Sequence, residues 1–277
     1  MRRHRTPAWR GAVLALLVSG VLAGTAGAQW LDVPVPGTPR TPDGKPNLKA
    51  PTPRTAEGKP DLSGIWRVDT NKYNANLVPD GTEAPMLPWA AELYKKRLAT
   101  FGYDRPGSNC MPHGTPDAMT VYNFKIIQNR DVVVHLYEEM HKYRQIHTDG
   151  RALPVDPDPA WYGYSVGRWD GDTLVVDTAG FRGDGSWLDN NGHPHTDALR
   201  LTERFRRINF GQMEVVVTID DSKAYSRPWT AQTMKFNLQP DTELLEHLCE
   251  NNRSIETLQR IWGGQKETAA PTGGQQR

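Results

Sequence analysis

SVGRWDGDTLVVDT, residues 165–178, is the stretch whose reading decides the fold. Two short runs, SVGRW (165–169) and DTLVVDT (172–178), flank Asp170-Gly171. A two-residue Asp-Gly loop between β-rich runs is the strongest short-range signal for a hairpin, because its turn needs positive φ that these residues tolerate. Asp170 and Asp172 therefore read as turn residues and not as a catalytic carboxylate pair.

Working outward, the same grammar recurs. FKIIQ (124–128), DVVVHLYE (131–138) and HKYRQIHT (141–148) lie before it; ALRLTERFRRI (198–208), MEVVVTID (213–220), TAQTMKFNL (230–238) and ELLEHL (243–248) lie after it. Asn209–Gln212 joins two of these runs, with Gly211 where a turn would require it. With Gly64–Val68 the count is nine or ten strands on mostly short connections. An open meander of that length leaves two unprotected edges, and closure removes them. The expected fold is mostly β, an antiparallel up-and-down barrel of about 8–10 strands wide enough for one small ligand; a β-sandwich is the alternative. One helix is expected, PWAAELYKKRLATF (88–101), with Pro88 in its first turn and Ala90, Leu93, Tyr94, Leu98 and Phe101 as its apolar stripe.

The ends have other compositions. Arg2, Arg3, Arg5 and Arg10, the uncharged run GAVLALLVSGVLA (11–23) and Ala26-Gly27-Ala28 form the three parts of a secretory signal, predicting cleavage after Ala28 and a periplasmic or secreted product. The apolar core is too short to span a bilayer, and no later run approaches a span. Residues 29–60 form a Pro-rich segment in which PRTPDGKPNL (39–48) returns as PRTAEGKPDL (53–62), read as an extended tether or a strap on the surface. The barrel domain is assigned to 61–262, and 263–277 has the composition of a disordered tail.

The full chain has 33 basic and 32 acidic residues. Loss of four arginines with the signal leaves the remainder at about −3. That is no electrostatic footprint for nucleic acid. The two cysteines, Cys110 and Cys249, are expected to pair in an oxidising compartment.

DLSGIW (61–66), CMPHGTP (110–116), YRQIHTDGR (143–151), GRWDGDTLVVDTAGF (167–181), TERFRR (202–207) and LCENN (248–252) together resemble a family of exported bacterial proteins over nearly all of 61–252. The resemblance implies export and carries no activity with it. Gly64-x-Trp66 ahead of a meander also resembles the opening of lipocalin-like barrels. That likeness implies a Trp closing one barrel end under an arginine near the C-terminus, here Arg253 or Arg260.

Polar residues inside strand patterns are the candidates for chemistry. Glu203 shares a face with Leu199, Leu201 and Phe205, which makes it a buried carboxylate that needs a cation or a raised pKa. Glu138 and Arg144, on adjacent strands, are expected to pair. His195 is a candidate acid or base, since imidazole titrates near neutrality. Glu203, Glu138, His195 and Arg144 thus form the catalytic set of an enzyme reading. Glu203→Gln is expected to abolish binding or turnover with the fold intact. His193 and His195 beside Asp189 have a divalent-metal pattern with no third ligand fixed by spacing, so a divalent metal there stays open and no other cofactor is predicted. Trp161, Tyr164, Trp169, Trp187 and Tyr143 are the candidate ligand-stacking residues. No nucleophile elbow, phosphate loop, dinucleotide fingerprint or haem-attachment motif is present. The favoured reading is an exported barrel binding a small, partly apolar or aromatic ligand. The alternatives are a periplasmic hydrolase or lyase and a surface interaction protein.

Overall fold

The computed structural model describes residues 34–69, 76–100, 102–183, 185–245, 247 and 249. The expected signal peptide (1–28), Phe101, Arg253, Arg260 and the tail (263–277) lie outside the described residues.

Ten strands form one sheet: β1 (Gly64–Val68), β2 (Phe124–Gln128), β3 (Val132–Tyr137), β4 (Tyr143–His147), β5 (Tyr164–Asp170), β6 (Thr173–Ala179), β7 (Arg200–Asn209), β8 (Gln212–Asp220), β9 (Trp229–Thr230) and β10 (Met234–Leu238). β10 pairs with both β8 and β1, so nine strands close into a barrel and β9 lies outside the ring against β8. The expected barrel is therefore the fold. Closure also explains why the described residues of the expected strand 243–248, which are 243–245 and 247, form no strand. With β10 occupied on both sides no edge remains there, and the segment makes one isolated bridge, His247 to Glu139.

Alternation sets the faces. Along β7, Leu201, Glu203, Phe205 and Arg207 are buried while Arg200, Arg204 and Arg206 face water. Along β8, Met213, Val215, Val217 and Ile219 point inward. Trp66, Phe124, Phe205 and Phe236 fill the centre. The β5–β6 hairpin is shifted by one residue from the sequence expectation. Asp170 pairs with Thr173, so Gly171 and Asp172 form the loop, and the φ of +57° at Gly171 suits the first central position of a type II′ turn. Asp170 and Asp172 serve as surface ion-pair partners of Arg204 and Arg54, at 2.9 and 2.7 Å.

One pair departs from the up-and-down pattern. β4 and β5 run parallel, joined by residues 148–163. Parallel neighbours need a crossover of a dozen or more residues, and this connection has that length.

Helix α1 (Pro88–Ala99) forms where expected, but its stripe is thinner than the sequence suggests. Ala90 is buried and Leu98 is exposed. The helix docks through Tyr94, stacked on His193 at 4.3 Å, and Arg97, over the Trp187 ring at 4.5 Å.

The duplicated arm is not extended. Each copy folds into the same small turn: Thr41 N–H donates to Lys45 O and Gly44 N–H to Thr41 O, and Thr55, Lys59 and Gly58 repeat the pattern. Each copy then clips to the barrel through its arginine. Arg40 makes a bidentate pair with Asp241, and Arg54 with Asp172. Between the clips, Phe210 N–H donates to Ala50 O and Gly211 N–H to Leu48 O, both at 2.8 Å. A Cβ at Gly211 would lie 2.5 Å from Leu48 Cβ. That glycine is required by the passing arm and not by its turn.

One barrel end is shut by the Trp66–Arg207 stack, with Arg207 Cζ 4.9 Å from the ring. Arg207 donates to the carbonyls of Asp61, Ser63, Asn209 and Phe210. The arginine seen on Trp66 comes from the end of β7; Arg253 and Arg260 lie outside the described residues.

Candidate ligand-binding cleft

The parallel seam opens the barrel wall. β4 and β5 pair at Ile146–Ser165 and His147–Val166. On the Tyr143 side of those pairs lies a cleft of about 880 Å³. Tyr143, Trp161, Tyr162 and Tyr164 line it, His141, Lys142 and His147 stand at its sides, and Arg144 and Ser165 reach it from the interior. Among the described residues lining it there is no carboxylate.

Behind the cleft sits the most buried polar network of the barrel. Arg144 Nη1 donates to Glu203 Oε1 at 3.0 Å and its Nη2 to Glu203 Oε2. Its Nε donates to Ser165 Oγ at 3.0 Å and its Nη2 also to Thr178 Oγ1 at 2.8 Å. The two hydroxyls are 3.0 Å apart. Glu203 is thus the buried carboxylate that its strand pattern predicts, and its cation is Arg144 from β4. His135, opposite Arg144 in the β3–β4 register, is fully enclosed. Burial, reinforced by the Arg144 charge, pushes its imidazole well below the ordinary value, so it is neutral. Tyr137 is pushed up by burial and stacks on Tyr162 at 5.2 Å, linking the interior to the cleft wall.

The expected Glu138–Arg144 pair does not form. The pleat places Arg144 inward with Tyr137 and His135, whereas Glu138 lies beyond the end of β3. There it accepts from Asn123 Nδ2 at 3.2 Å and from Leu245 N–H at 3.1 Å, tying down the segment after β10. The disulfide Cys110–Cys249 holds the same segment, and both cysteines line the cleft.

Of the stacking candidates, Tyr143, Trp161 and Tyr164 meet in the cleft. Trp187 is buried under Arg97, and Trp169 borders a separate depression beside Lys59, Gln128 and Arg130. A second groove, of about 700 Å³, runs along the outside of the barrel; its Arg168 and Asp177 are already paired with each other.

His193 and His195 do not face a common ligand. His193 Nδ1 is 2.7 Å from Asp189 Oδ2, and Asp189 also accepts from the backbone of Leu77, Gly192 and His193. That staple is structural: it folds the β6–β7 loop. His195 turns the other way, with Nε2 2.5 Å from Ser186 Oγ and Nδ1 3.1 Å from Thr196 O. Among the described residues no three His, Cys, Asp or Glu side chains group as a metal site.

A second charged centre went unrecognised in the sequence. His113 lies 2.7 Å from Asp117 Oδ2 through Nδ1 and 2.7 Å from Glu139 Oε1 through Nε2, and Arg105 pairs with Asp117 at 2.8 Å. Burial and Arg105 both lower the His113 pKa, but the two carboxylates outweigh them and hold it above the ordinary value. The four-residue spacing of His113 and Asp117 was the available signal; Glu139 could be added only by the fold.

Comparison with family models, with curated proteins and with solved structures finds no match to this chain. Among the described residues no helix is long and apolar enough to cross a membrane.

Proposed function

We propose that this is an exported barrel protein that binds a small aromatic molecule carrying a hydrogen-bond acceptor or negative group in the β4–β5 cleft. The observation that carries this reading is the cleft's lining: four aromatic side chains, Lys142 and three histidines, with the buried Arg144 beneath. Aromatic faces hold a ring by stacking, and a lining without carboxylates leaves an acidic group unopposed. Arg144 is already neutralised by Glu203, so its part is to fix the wall and present a polar floor, while Lys142 supplies charge at the rim. The disulfide and the three-part secretory pattern of residues 1–28 support an extracytoplasmic location.

Titration of the mature protein with indole-3-acetate, followed by tryptophan fluorescence and calorimetry, tests this. Saturable binding is expected, weakened up to about tenfold by Trp161→Ala or Tyr164→Ala, the loss of one stacking contact. No saturable signal at millimolar concentration, or equal binding by both variants, removes the reading.

A further inference from the structure

We propose that Ser186 is the nucleophile of an ester-hydrolysing site in the β6–β7 loop, with His195 as its base. Ser186 Oγ and His195 Nε2 are 2.5 Å apart. Burial, the largest influence on His195, lowers its pKa and leaves the ring neutral. Its Nδ1 faces the Thr196 carbonyl at 3.1 Å, and a carbonyl only accepts, so Nδ1 carries the proton. Nε2 is then a bare lone pair, and the bond to Ser186 runs from the hydroxyl to the ring. That is the tautomer a general base needs, and it is set by a third group, as in activated-serine sites generally.

The loop holds this arrangement from both sides of the histidine. Tyr225 Oη donates to Pro194 O at 2.7 Å, and Asp221 accepts from Thr196 N–H at 2.6 Å and Thr196 Oγ1 at 2.8 Å. Asp221 thus positions the carbonyl that orients His195, and its negative charge acts on the ring. Beside the hydroxyl the walls are glycines. A Cβ at Gly114 would stand 3.5 Å from Ser186 Oγ and 2.8 Å from Trp161 O, and one at Gly185 would stand 3.4 Å from the Trp161 ring. These contacts are tight, so Gly114 lets backbone pack beside the hydroxyl where a side chain would clash, and Trp161 is the aromatic surface that meets Gly185. Ser186 is 5 % exposed, so the smallest acyl group, acetyl, is the one to test.

In the reaction, Ser186 Oγ bonds to the acyl carbon as its proton passes to His195 Nε2. The ester C–O bond breaks, and the alcohol leaves with that proton. Water then attacks the acyl-serine, giving its proton to His195, which returns it to Ser186 Oγ as the acid departs.

The test uses the full mature chain and a small ethoxy fluorophosphonate, with the adduct mapped by peptide mass spectrometry. Modification on the tryptic peptide 183–200 at Ser186 is expected, absent in Ser186→Ala and roughly a hundredfold slower in His195→Gln. 4-Nitrophenyl acetate should release nitrophenol in a burst of one equivalent from the native protein only. Ser186 left unmodified in protein that circular dichroism shows to be folded, while a control serine esterase reacts, overturns the proposal. So does labelling that persists in Ser186→Ala.

Discussion

Arg144 on β4 and Glu203 on β7 meet inside the barrel as a bidentate ion pair whose side chains are 1 % and 0 % exposed. Neither can turn to water if the other is removed. Glu203→Gln should therefore weaken the fold as well as the cleft, by about 3–5 kcal/mol, the usual cost of leaving one buried charge unpaired. This revises the expectation of an intact fold. The double variant Arg144→Met/Glu203→Leu should recover most of the loss. Urea denaturation of the three proteins checks this, and an unaltered midpoint for Glu203→Gln would contradict it.

Acid should destabilise the protein near pH 6. His135 and His195 are buried and neutral, with pKa values below the 6.5 of the unfolded chain. As pH falls through 6.5 the unfolded state takes up protons that the native state refuses, so stability drops, by up to about 1.4 kcal/mol per pH unit for each group. His113 acts in the window above theirs. Its raised pKa gives stability that is full below 6.5 and is lost as pH rises through its folded value. The net fall should be visible between pH 6.5 and 5.5 in denaturant melts. It should shrink in His135→Phe and persist in His113→Gln, which should instead lose the decline in stability that wild type shows as pH rises above 6.5; an unchanged acid slope in His135→Phe would refute the assignment.

Reducing Cys110–Cys249 should lower the melting temperature. The bridge spans 139 residues and, in the chain-entropy treatment, is worth roughly 4–5 kcal/mol. A loss on the order of 10 °C is expected in calorimetry with a phosphine reductant. Unchanged melting would show that the bridge constrains little.

Arg207→Met keeps the stem over Trp66 but strips the donors from four carbonyls at the closed end. A cost of about 3 kcal/mol follows from leaving such groups unsatisfied. A denaturation midpoint within error of wild type would mean that water replaces the guanidinium.

Much of this architecture is legible in order along the chain. Hairpin loops, strand faces and the need for closure are local or nearly so, and Glu203 declares itself because it sits between Leu201 and Phe205 on the inward face of β7. Partner choice is another matter. The pleat says that Arg144 and Glu203 both point inward, but only register across β4, β5, β6 and β7 brings them together, and Glu138 was the nearer candidate in sequence. Trp169 and Trp187 show the same limit. Aromatics close in sequence to the cleft residues are carried elsewhere by a strand end and a loop. The arm's repeat is visible, yet its role depends on Asp172 and Asp241 lying where each turn comes down.

The single parallel pair has a consequence of parity. Walking once around a closed ring, the strand direction must return to its starting sense, so the number of reversals is even. Nine strands joined by nine antiparallel pairs would require nine reversals, which is impossible; the ring has eight and one neighbour of like direction. An odd barrel cannot be seamless. The chain places its mandatory mismatch at 148–163, beside the hollow where Trp161 and Tyr164 gather, so deleting or adding one ring strand should abolish that hollow together with the mismatch.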